Sequence, residues 1–479
     1  MQTDLILIIM PKIQPDAPTV GPAILKAKVQ QHGYSCKVFD LNIDSYNAIQ
    51  NKDIWNKDDY LFLEDNYEKF LSDYTELKSI KKLHKEYIKK LVELNPRYVG
   101  LSLLTKFSRN TAFYFSKLVK NALPNTKIIW GGAGIYKSYC LNLIKDEIID
   151  DYILGDAEEQ IIKLLNGTLD TDKTKRHPIQ LQDLNSVPLP DYSDIIWNNY
   201  QKDDHFKEKN ISYITASRGC VRNCSFCDIN LIWPKFKFRS AENVFEEIKY
   251  IHQTYKRTFF KFTDSLINGS QSEFRKLLFL LANYRKNYPE IQWSSQFIAK
   301  SERQMPKDDF VLIKESGCVW LEIGFEHLVE KIRFDMNKKI TDEDMWYTID
   351  ECFKNNIIID SLMITGWITE TEEDHIQQLN VLKEMFDRGY KDTINFAFGN
   401  VLSITENTPL WSSYINDPEL EWINLNDWNY KGNTLDVRIR RWEEVNEYYK
   451  KLRAEQNKHT NINLVASRVK KLKDHIDVL

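Results

Sequence analysis

Ile211-Ser-Tyr-Ile-Thr-Ala-Ser-Arg-Gly-Cys220-Val-Arg-Asn-Cys224-Ser-Phe-Cys227 is a short apolar strand running directly into three cysteines, spaced by three residues and then by two. Thiolates this close on one loop can hold three irons of a [4Fe-4S] cluster and leave the fourth open to a small molecule. A zinc site wants four N/S ligands, ordinarily in two C-x-x-C or C…H sets. Only Cys224 and Cys227 form such a pair. Cys36, Cys140, Cys318 and Cys352 stand singly among apolar residues, where a free cysteine is a small buried hydrophobe. The spacing favours a cluster over zinc or inert thiols.

Downstream of the cysteines, strand and helix alternate. Strands are expected at Phe259 to Phe262, Ile291 to Gln296, Val319 to Ile323, Ile358 to Ile364 and Ile394 to Val401. Ser240 caps a helix with Glu242, Glu246 and Glu247 near its positive end and Val244, Ile248 and Ile251 on one face. Counted from the cysteine strand, six strands make an open β/α barrel. Asp264, Gln296, Glu326 and Thr365 beside Gly366 fall at strand ends, the mouth where the loops of such a barrel converge. Singly, each reads better as a helix cap or a solvated loop residue; five strand ends pointing at the cysteine loop favour a shared site.

Upstream lies a second alternation. Leu5 to Met10 is a continuous apolar run, the pattern of a parallel strand buried on both faces. Pro22 and Gly33 bracket a helix, and further strands are expected at Cys36 to Phe39, Tyr98 to Leu104, Lys127 to Trp130 and Tyr152 to Leu154. Helices are expected within Phe62 to Leu94 and between Asn110 and Asn121, which completes a doubly wound, Rossmann-like parallel sheet. Such sheets bind ligands at the carboxyl ends of their strands. Those ends carry Ser102, Gly131-Gly132-Ala-Gly134 and Gly155-Asp-Ala-Glu158, where glycine permits close approach of a ligand or simply a tight turn.

The 479 residues suffice for two or three domains. The reading divides them into a doubly wound domain over 1–167, a proline-dotted linker over 168–205, the barrel over 206–410 and a mainly helical segment over 411–479. A net charge of −4 gives no electrostatic footprint for nucleic acid. The N-terminal apolar run lacks the basic flank and length of a signal peptide or membrane span. An odd number of cysteines, seven, argues against a disulfide framework and for a reducing cytoplasm.

These residues together resemble the radical S-adenosylmethionine enzymes, specifically those with an N-terminal cobalamin-binding domain. The resemblance runs from about residue 4 to about residue 411. It rests on the C-x-x-x-C-x-x-C loop with Arg218-Gly219 before it and Phe226 inside it. Phe262-Thr-Asp264, Leu321-Glu-Ile-Gly324-Phe-Glu326, Met336-Asn-Lys338, Met363-Ile-Thr-Gly366 and Val187-Pro-Leu-Pro-Asp191 match in order. It implies a [4Fe-4S] cluster on Cys220, Cys224 and Cys227, with S-adenosylmethionine on the open iron. Reduction would then release a 5′-deoxyadenosyl radical. By position, Phe226 would lie near adenine and Asp264 near the methionine end, while Gln296, Glu326 and Lys338 would reach ribose or carboxylate. Ser102, Gly131, Gly132, Gly155 and Glu158 would contact cobalamin. The activity implied is cobalamin-dependent methylation of an unactivated carbon of a small molecule or peptide, with an electron donor such as flavodoxin or ferredoxin. A radical rearrangement or cyclisation, or a non-catalytic iron-sulfur or zinc module, are the rival readings.

Two departures stand out. None of the nine histidines lies in an Asp-x-His-x-x-Gly motif, so cobalamin would be held without a histidine ligand. Trp367-Ile-Thr369 and Glu406-Asn-Thr-Pro409 replace the family's usual Leu-Pro-Gly and Pro-Gly-Thr-Pro.

Overall fold

The computed structural model describes residues 2–50, 52, 55, 78–200 and 210–457. The described residues divide into two compact units, the first running to Tyr213 and the second starting at Ile214.

The first unit is a five-stranded sheet in the order β2-β1-β3-β4-β5. Its strands are β1 (Leu5–Ile9), β2 (Cys36–Asp40), β3 (Tyr98–Ser102), β4 (Lys127–Gly131) and β5 (Asp151–Ile153). Every pairing is parallel. All five residues of β1 are buried, as its unbroken apolar run requires of a central strand covered on both faces. Helices α1 (Val20–Gln31), α2 (Leu41–Ala48), α3 (Lys78–Leu94), α4 (Arg109–Ala122), α5 (Lys137–Lys145) and α6 (Glu158–Leu165) supply the connections. Helix α3 buries Ile80, His84, Tyr87 and Leu91, one stripe at helical spacing. The part of the expected Phe62 to Leu94 helical region before residue 78 lies outside the described residues.

The stretch read as a linker is built into this unit as far as residue 200. Lys26 of α1, 2% exposed, holds Asp194 at 2.6 Å and Asp191 at 3.3 Å. Asp194 also accepts from Val38 N at 2.9 Å, and Ile179 N donates to Leu154 O at 3.2 Å. Its prolines prevent regular structure, and its aspartates anchor it to the sheet and its helix.

The second unit is a six-stranded sheet in the order β13-β12-β11-β10-β9-β6, open between its two edge strands. The strands are β6 (Ile211–Ile214), β9 (Phe259–Phe262), β10 (Gln292–Phe297), β11 (Cys318–Glu326), β12 (Ile358–Thr365) and β13 (Ile394–Val401). Pairings from β9 to β13 are parallel. The connecting helices are α7 (Ala241–Tyr255), α8 (Gln271–Arg285), α9 (Lys307–Glu315), α10 (Glu330–Asp335), α11 (Asp342–Lys354) and α12 (Glu372–Asp387). Ser240 caps α7 by accepting from Asn243 N, and Thr371 with Asp374 forms a capping box on α12.

Beyond the barrel, the segment read as mainly helical holds α13 (Pro409–Tyr414) and a hairpin of β14 (Leu420–Trp422) and β15 (Trp428–Tyr430). Its last described element is α14 (Leu435–Asn457). The hairpin escaped a helical reading because its strands are three residues each, too short for a period. Trp411 and Trp422 meet edge to face at 4.7 Å, and Trp428 is buried beneath Arg438.

Candidate active site at the barrel mouth

Strand β6 leads into a two-residue strand, β7 (Ser217–Arg218), paired antiparallel with β8 (Lys237–Phe238). The chain turns at Gly219 with φ +85°, where a Cβ would stand 2.7 Å from Lys235 O. Both the left-handed backbone and the close approach demand glycine there. The loop that follows is pinned from three sides. Ser225 N donates to Met336 O at 2.9 Å, Leu410 N donates to Ser225 O at 2.7 Å, and the Asn337 amide donates to Asn223 O at 2.6 Å. Cys220, Cys224 and Cys227 are all free thiols on this loop. Cys220 Sγ accepts from Arg222 N at 3.4 Å. Burial pushes the Cys224 thiol up to about 11, opposed by the Lys338 ammonium, and burial also raises Cys227. Three thiols on one braced loop are the type of donor an iron-sulfur cluster takes, although among the described residues no three His, Cys, Asp or Glu side chains are gathered closely enough to hold a metal ion as they stand.

Asp264, 2% exposed at the end of β9, lies directly behind the loop. Its Oδ2 accepts from Ala216 N at 3.0 Å and its Oδ1 from Ser217 Oγ at 2.5 Å. Burial raises its carboxyl to about 6 against these hydrogen bonds. Its oxygens therefore brace Ala216 and Ser217 on the approach to the cysteines.

Glu326 and Lys338 form one ion pair, Lys338 Nζ to Glu326 Oε1 at 2.7 Å. Although burial disfavours its charge, Glu326 and the Cys224 and Cys220 sulfurs hold the Lys338 ammonium above its usual pKa. Gly324 makes the pair possible: a Cβ there would stand 2.2 Å from Glu326 Oε1 and 2.9 Å from Lys338 Nζ. Glu326 is held at φ +65°, a backbone conformation costly for a non-glycine residue and the kind of strain concentrated at functional sites. The two residues expected to reach a ligand separately thus meet as a pair beside the cysteines. Gln296 stands in register with Glu322, and Lys261 of β9 reaches Glu322 at 3.4 Å. That pair escaped the sequence reading, although a single lysine in Phe259-Phe-Lys-Phe262 was a signal for it.

Phe226 packs edge to face on Trp367, ring centroids 6.2 Å apart. Trp367 also donates from Nε1 to Asp335 Oδ2 at 2.7 Å. The departure from the family pattern at 367 thus supplies a buried indole that walls the cysteine loop.

In the first unit, the carboxyl ends of the strands align, with Ile9 and Gly131 both in register with Ser102 and Ile153 in register with Gly131. Two of the glycines serve the protein itself. A Cβ on Gly132 (φ +102°) would stand 2.3 Å from Leu103 O, and one on Gly155 (φ +75°) 2.3 Å from Ile179 O. Gly131 is different: its nearest neighbour for a Cβ is Ile153 O at 3.8 Å. Glu158 is buried at the start of α6. The edge is mostly small-residue backbone, with Arg109 Nε donating to Gly134 O at 2.6 Å beside it, and its open Gly131 surface fits a broad, flat ring such as that of cobalamin.

Residues 214–380 match the Radical SAM superfamily. An uncharacterized methyltransferase of Pyrococcus horikoshii is 22% identical over 337 residues, covering 67% of this chain and 69% of its own length. A putative methylthiotransferase of Methanocaldococcus jannaschii is 26% identical over 307 residues, 60% of this chain and 64% of its own. Among solved structures, the radical S-adenosylmethionine methyltransferase TsrM from Kitasatospora setae, with cobalamin and a [4Fe-4S] cluster bound, superposes with TM-score 0.63 at 14% identity. The match covers 88% of this chain and 80% of TsrM. The cobalamin-dependent radical enzyme OxsB gives TM-score 0.61 at 14% identity, over 93% of this chain and 61% of OxsB. Residues 214–380, which carry the three cysteines, are thus similar to the Radical SAM superfamily, and the chain shares the fold of TsrM and OxsB.

Proposed function

We propose that the chain is a cobalamin-dependent radical S-adenosylmethionine methyltransferase acting on an unactivated carbon of a small molecule or peptide. The observation that carries the reading is the pairing of two domains in one chain, a free three-cysteine loop at a barrel mouth and a glycine-edged parallel sheet. The likeness in fold to TsrM and OxsB supports it. A [4Fe-4S] cluster held by Cys220, Cys224 and Cys227 with S-adenosylmethionine on its open iron would supply the reducing chemistry for hydrogen abstraction.

The chain's own residues prepare that site. Cys220, Cys224 and Cys227 hold the metal, and Asp264 fixes the strand that presents them. The Lys338 ammonium, kept charged by Glu326, offsets thiolate charge as the cluster loads. Trp367 and Phe226 exclude water from one side of the loop. Ser102, Gly131, Gly132, Gly155 and Glu158 form the edge assigned to cobalamin. An electron donor such as flavodoxin or ferredoxin completes the system. The setting is the reducing cytoplasm, and among the described residues no helix is long and apolar enough to cross a membrane.

Two measurements test this. Iron-reconstituted protein incubated with hydroxocobalamin and desalted is expected to retain cobalamin absorbance; its absence would leave rearrangement or cyclisation as the reading. Reduced protein with S-adenosylmethionine is expected to release 5′-deoxyadenosine, and Cys224→Ala to abolish it. No release from the intact loop would point to a non-catalytic metal module.

A further inference from the structure

Behind the barrel mouth lies a polar cluster that the assigned chemistry does not use. His327, Glu370 and His375 are 0%, 3% and 1% exposed. Glu370 sits in the loop between β12 and α12, and its Oε2 accepts from Gly366 N at 2.8 Å and Trp367 N at 3.0 Å. Its other oxygen, Oε1, has two imidazoles facing it, His327 Nε2 at 3.8 Å and His375 Nδ1 at 3.9 Å. None of these three atoms has another hydrogen-bond partner. The far nitrogen of His375, Nε2, lies 2.9 Å from Glu444 Oε2 on α14.

Hydrogen-bond logic fixes most of the protons. His327 Nδ1 accepts from Val329 N at 3.1 Å, so the ring carries its proton on Nε2 and points it at Glu370. A ring protonated there has no lone pair for a metal ion, so the cluster is not a metal site. His375 faces a carboxylate from each nitrogen, Glu444 on one side and Glu370 on the other. One proton suffices for Glu444; a second, on Nδ1, turns an acceptor facing an acceptor into a charge-assisted bond.

What the cluster holds is the turn beside the cysteines. Glu370 fixes the amides of Gly366 and Trp367, and Trp367 is the indole that packs on Phe226 between Cys224 and Cys227. We propose that His327 and His375 are positioning residues for the cysteine loop, acting through Glu370, with Glu444 linking α14 to the same chain. The consequence for the cluster rests on the function assigned above, whereas the positioning of the turn does not.

Burial pushes the His375 imidazole below its usual pKa, opposed by Glu370, Glu444 and Glu372. The other charged groups around it are Arg440 and Arg441 of α14, which hold Glu372, and the Lys331–Asp374 pair at 3.0 Å. His327 faces Glu370 from the β11 side. Protonation of His375 therefore falls below the ordinary imidazole range and tightens the Glu370 turn as pH drops.

Hydrogen exchange on the full-length chain, metal-free and reconstituted, tests this at single amides. Gly366 and Trp367 are expected to exchange at least about tenfold faster in His375→Leu, with Ile359 and Met363 of the adjoining β12 unchanged. His375→Gln, which can donate to one carboxylate, is expected to recover part of the protection. Glu444→Gln, a mild change at a half-exposed position, is expected to give a smaller rise confined to the same amides. In the wild type, the protection of Gly366 and Trp367 relative to Ile359 grows from pH 8 to pH 5.5 after correction for intrinsic rates, and this growth vanishes in His375→Gln. On reconstituted protein, the reduced cluster of His375→Leu is expected to give a broadened EPR signal at unchanged iron content. Equal protection of Gly366 and Trp367 in wild type and His375→Leu overturns the proposal. So does a loss spread evenly over β12, which marks a structural role alone. A broadened signal missing while the amides loosen removes only the link to the cluster.

Discussion

The two parallel sheets expose their carboxyl ends in opposite chemical styles. The first unit's edge is mostly backbone and small side chains, Ser102, Gly131, Gly132 and Gly155, with the buried Glu158 at the start of α6. The barrel's mouth is charge and sulfur, three free thiols with the Glu326–Lys338 pair beside them and Asp264 behind. A parallel sheet offers the same scaffold in both cases; what differs is whether its strand ends present space or reactivity. A backbone edge suits a large preformed cofactor that brings its own chemistry. A charged mouth suits a site where the protein must bind metal and offset its charge. In the first unit the buried Lys26 is satisfied by linker aspartates and His84 meets only rings, whereas at the barrel mouth Glu326 and Lys338 satisfy each other.

The sharpest way to break this contrast is to remove the mouth's central charge. Lys338→Met leaves Glu326 buried without a partner, and breaking such a pair costs about 3–5 kcal/mol. Denaturant melts of the metal-free chain should show that loss, and iron retained after reconstitution should fall with it. Gly324→Ala, whose Cβ would collide with the Glu326 carboxylate, should move both readings the same way. An unchanged melt in Lys338→Met would mean that the pair is dispensable and the mouth no more electrostatic than the other edge.

On the first unit the comparable test is backbone, not charge. Gly132→Ala forces a Cβ to 2.3 Å from Leu103 O at φ +102°, so a loss of about 2–3 kcal/mol is expected in thermal melts. A wild-type melting curve would show that the loop has room after all.

A third prediction concerns acid. His84 is buried against Tyr114 and Phe115, and burial alone pushes its pKa down to about 3. Unfolding lets the ring bind a proton near its ordinary value of about 6.5, so the unfolded state takes up more protons anywhere between those values. Stability is therefore full above pH 6.5 and falls as pH drops, by about 2 kcal/mol between pH 6.5 and 5. His84→Phe should flatten that part of the stability profile of the first unit. A profile as steep as wild type would place the acid sensitivity elsewhere.

The strands were legible because burial on both faces writes itself as an apolar run, as in Leu5–Ile9, and the cysteine loop because its spacing is chemistry in itself. The start of α7 followed from Ser240 for the same local reason, whereas the Thr371–Asp374 capping box on α12 was not singled out. Pairings across the barrel were not legible. Glu326 and Lys338 could be singled out, but nothing in their spacing says that they face each other over Gly324. His327 follows β11, Glu370 lies in the loop after β12 and His375 is in the first turns of α12, and nothing in their spacing says that they meet. Lys26 finds Asp191 and Asp194 more than 160 positions away, so a polar stretch read as linker gave no sign that it was anchored.

The finest test separates the glycines of the first edge from one another. Gly132 and Gly155 are required by neighbouring backbone, so their presence carries no information about a ligand. Gly131 is not: its φ is ordinary and a Cβ would rest 3.8 Å from Ile153 O, normal contact distance. Gly131→Ala should therefore change stability by less than about 0.5 kcal/mol. If a flat cofactor lies against this edge, the added methyl group occupies the surface it needs, and cobalamin retained after desalting should drop while the melt stays put. A variant that keeps both its melt and its cobalamin would move the cofactor off this strand end, and one that loses both would make Gly131 as structural as Gly132. Only loss of cobalamin at constant stability leaves the glycine explained by the ligand and the backbone edge explained as a cofactor seat.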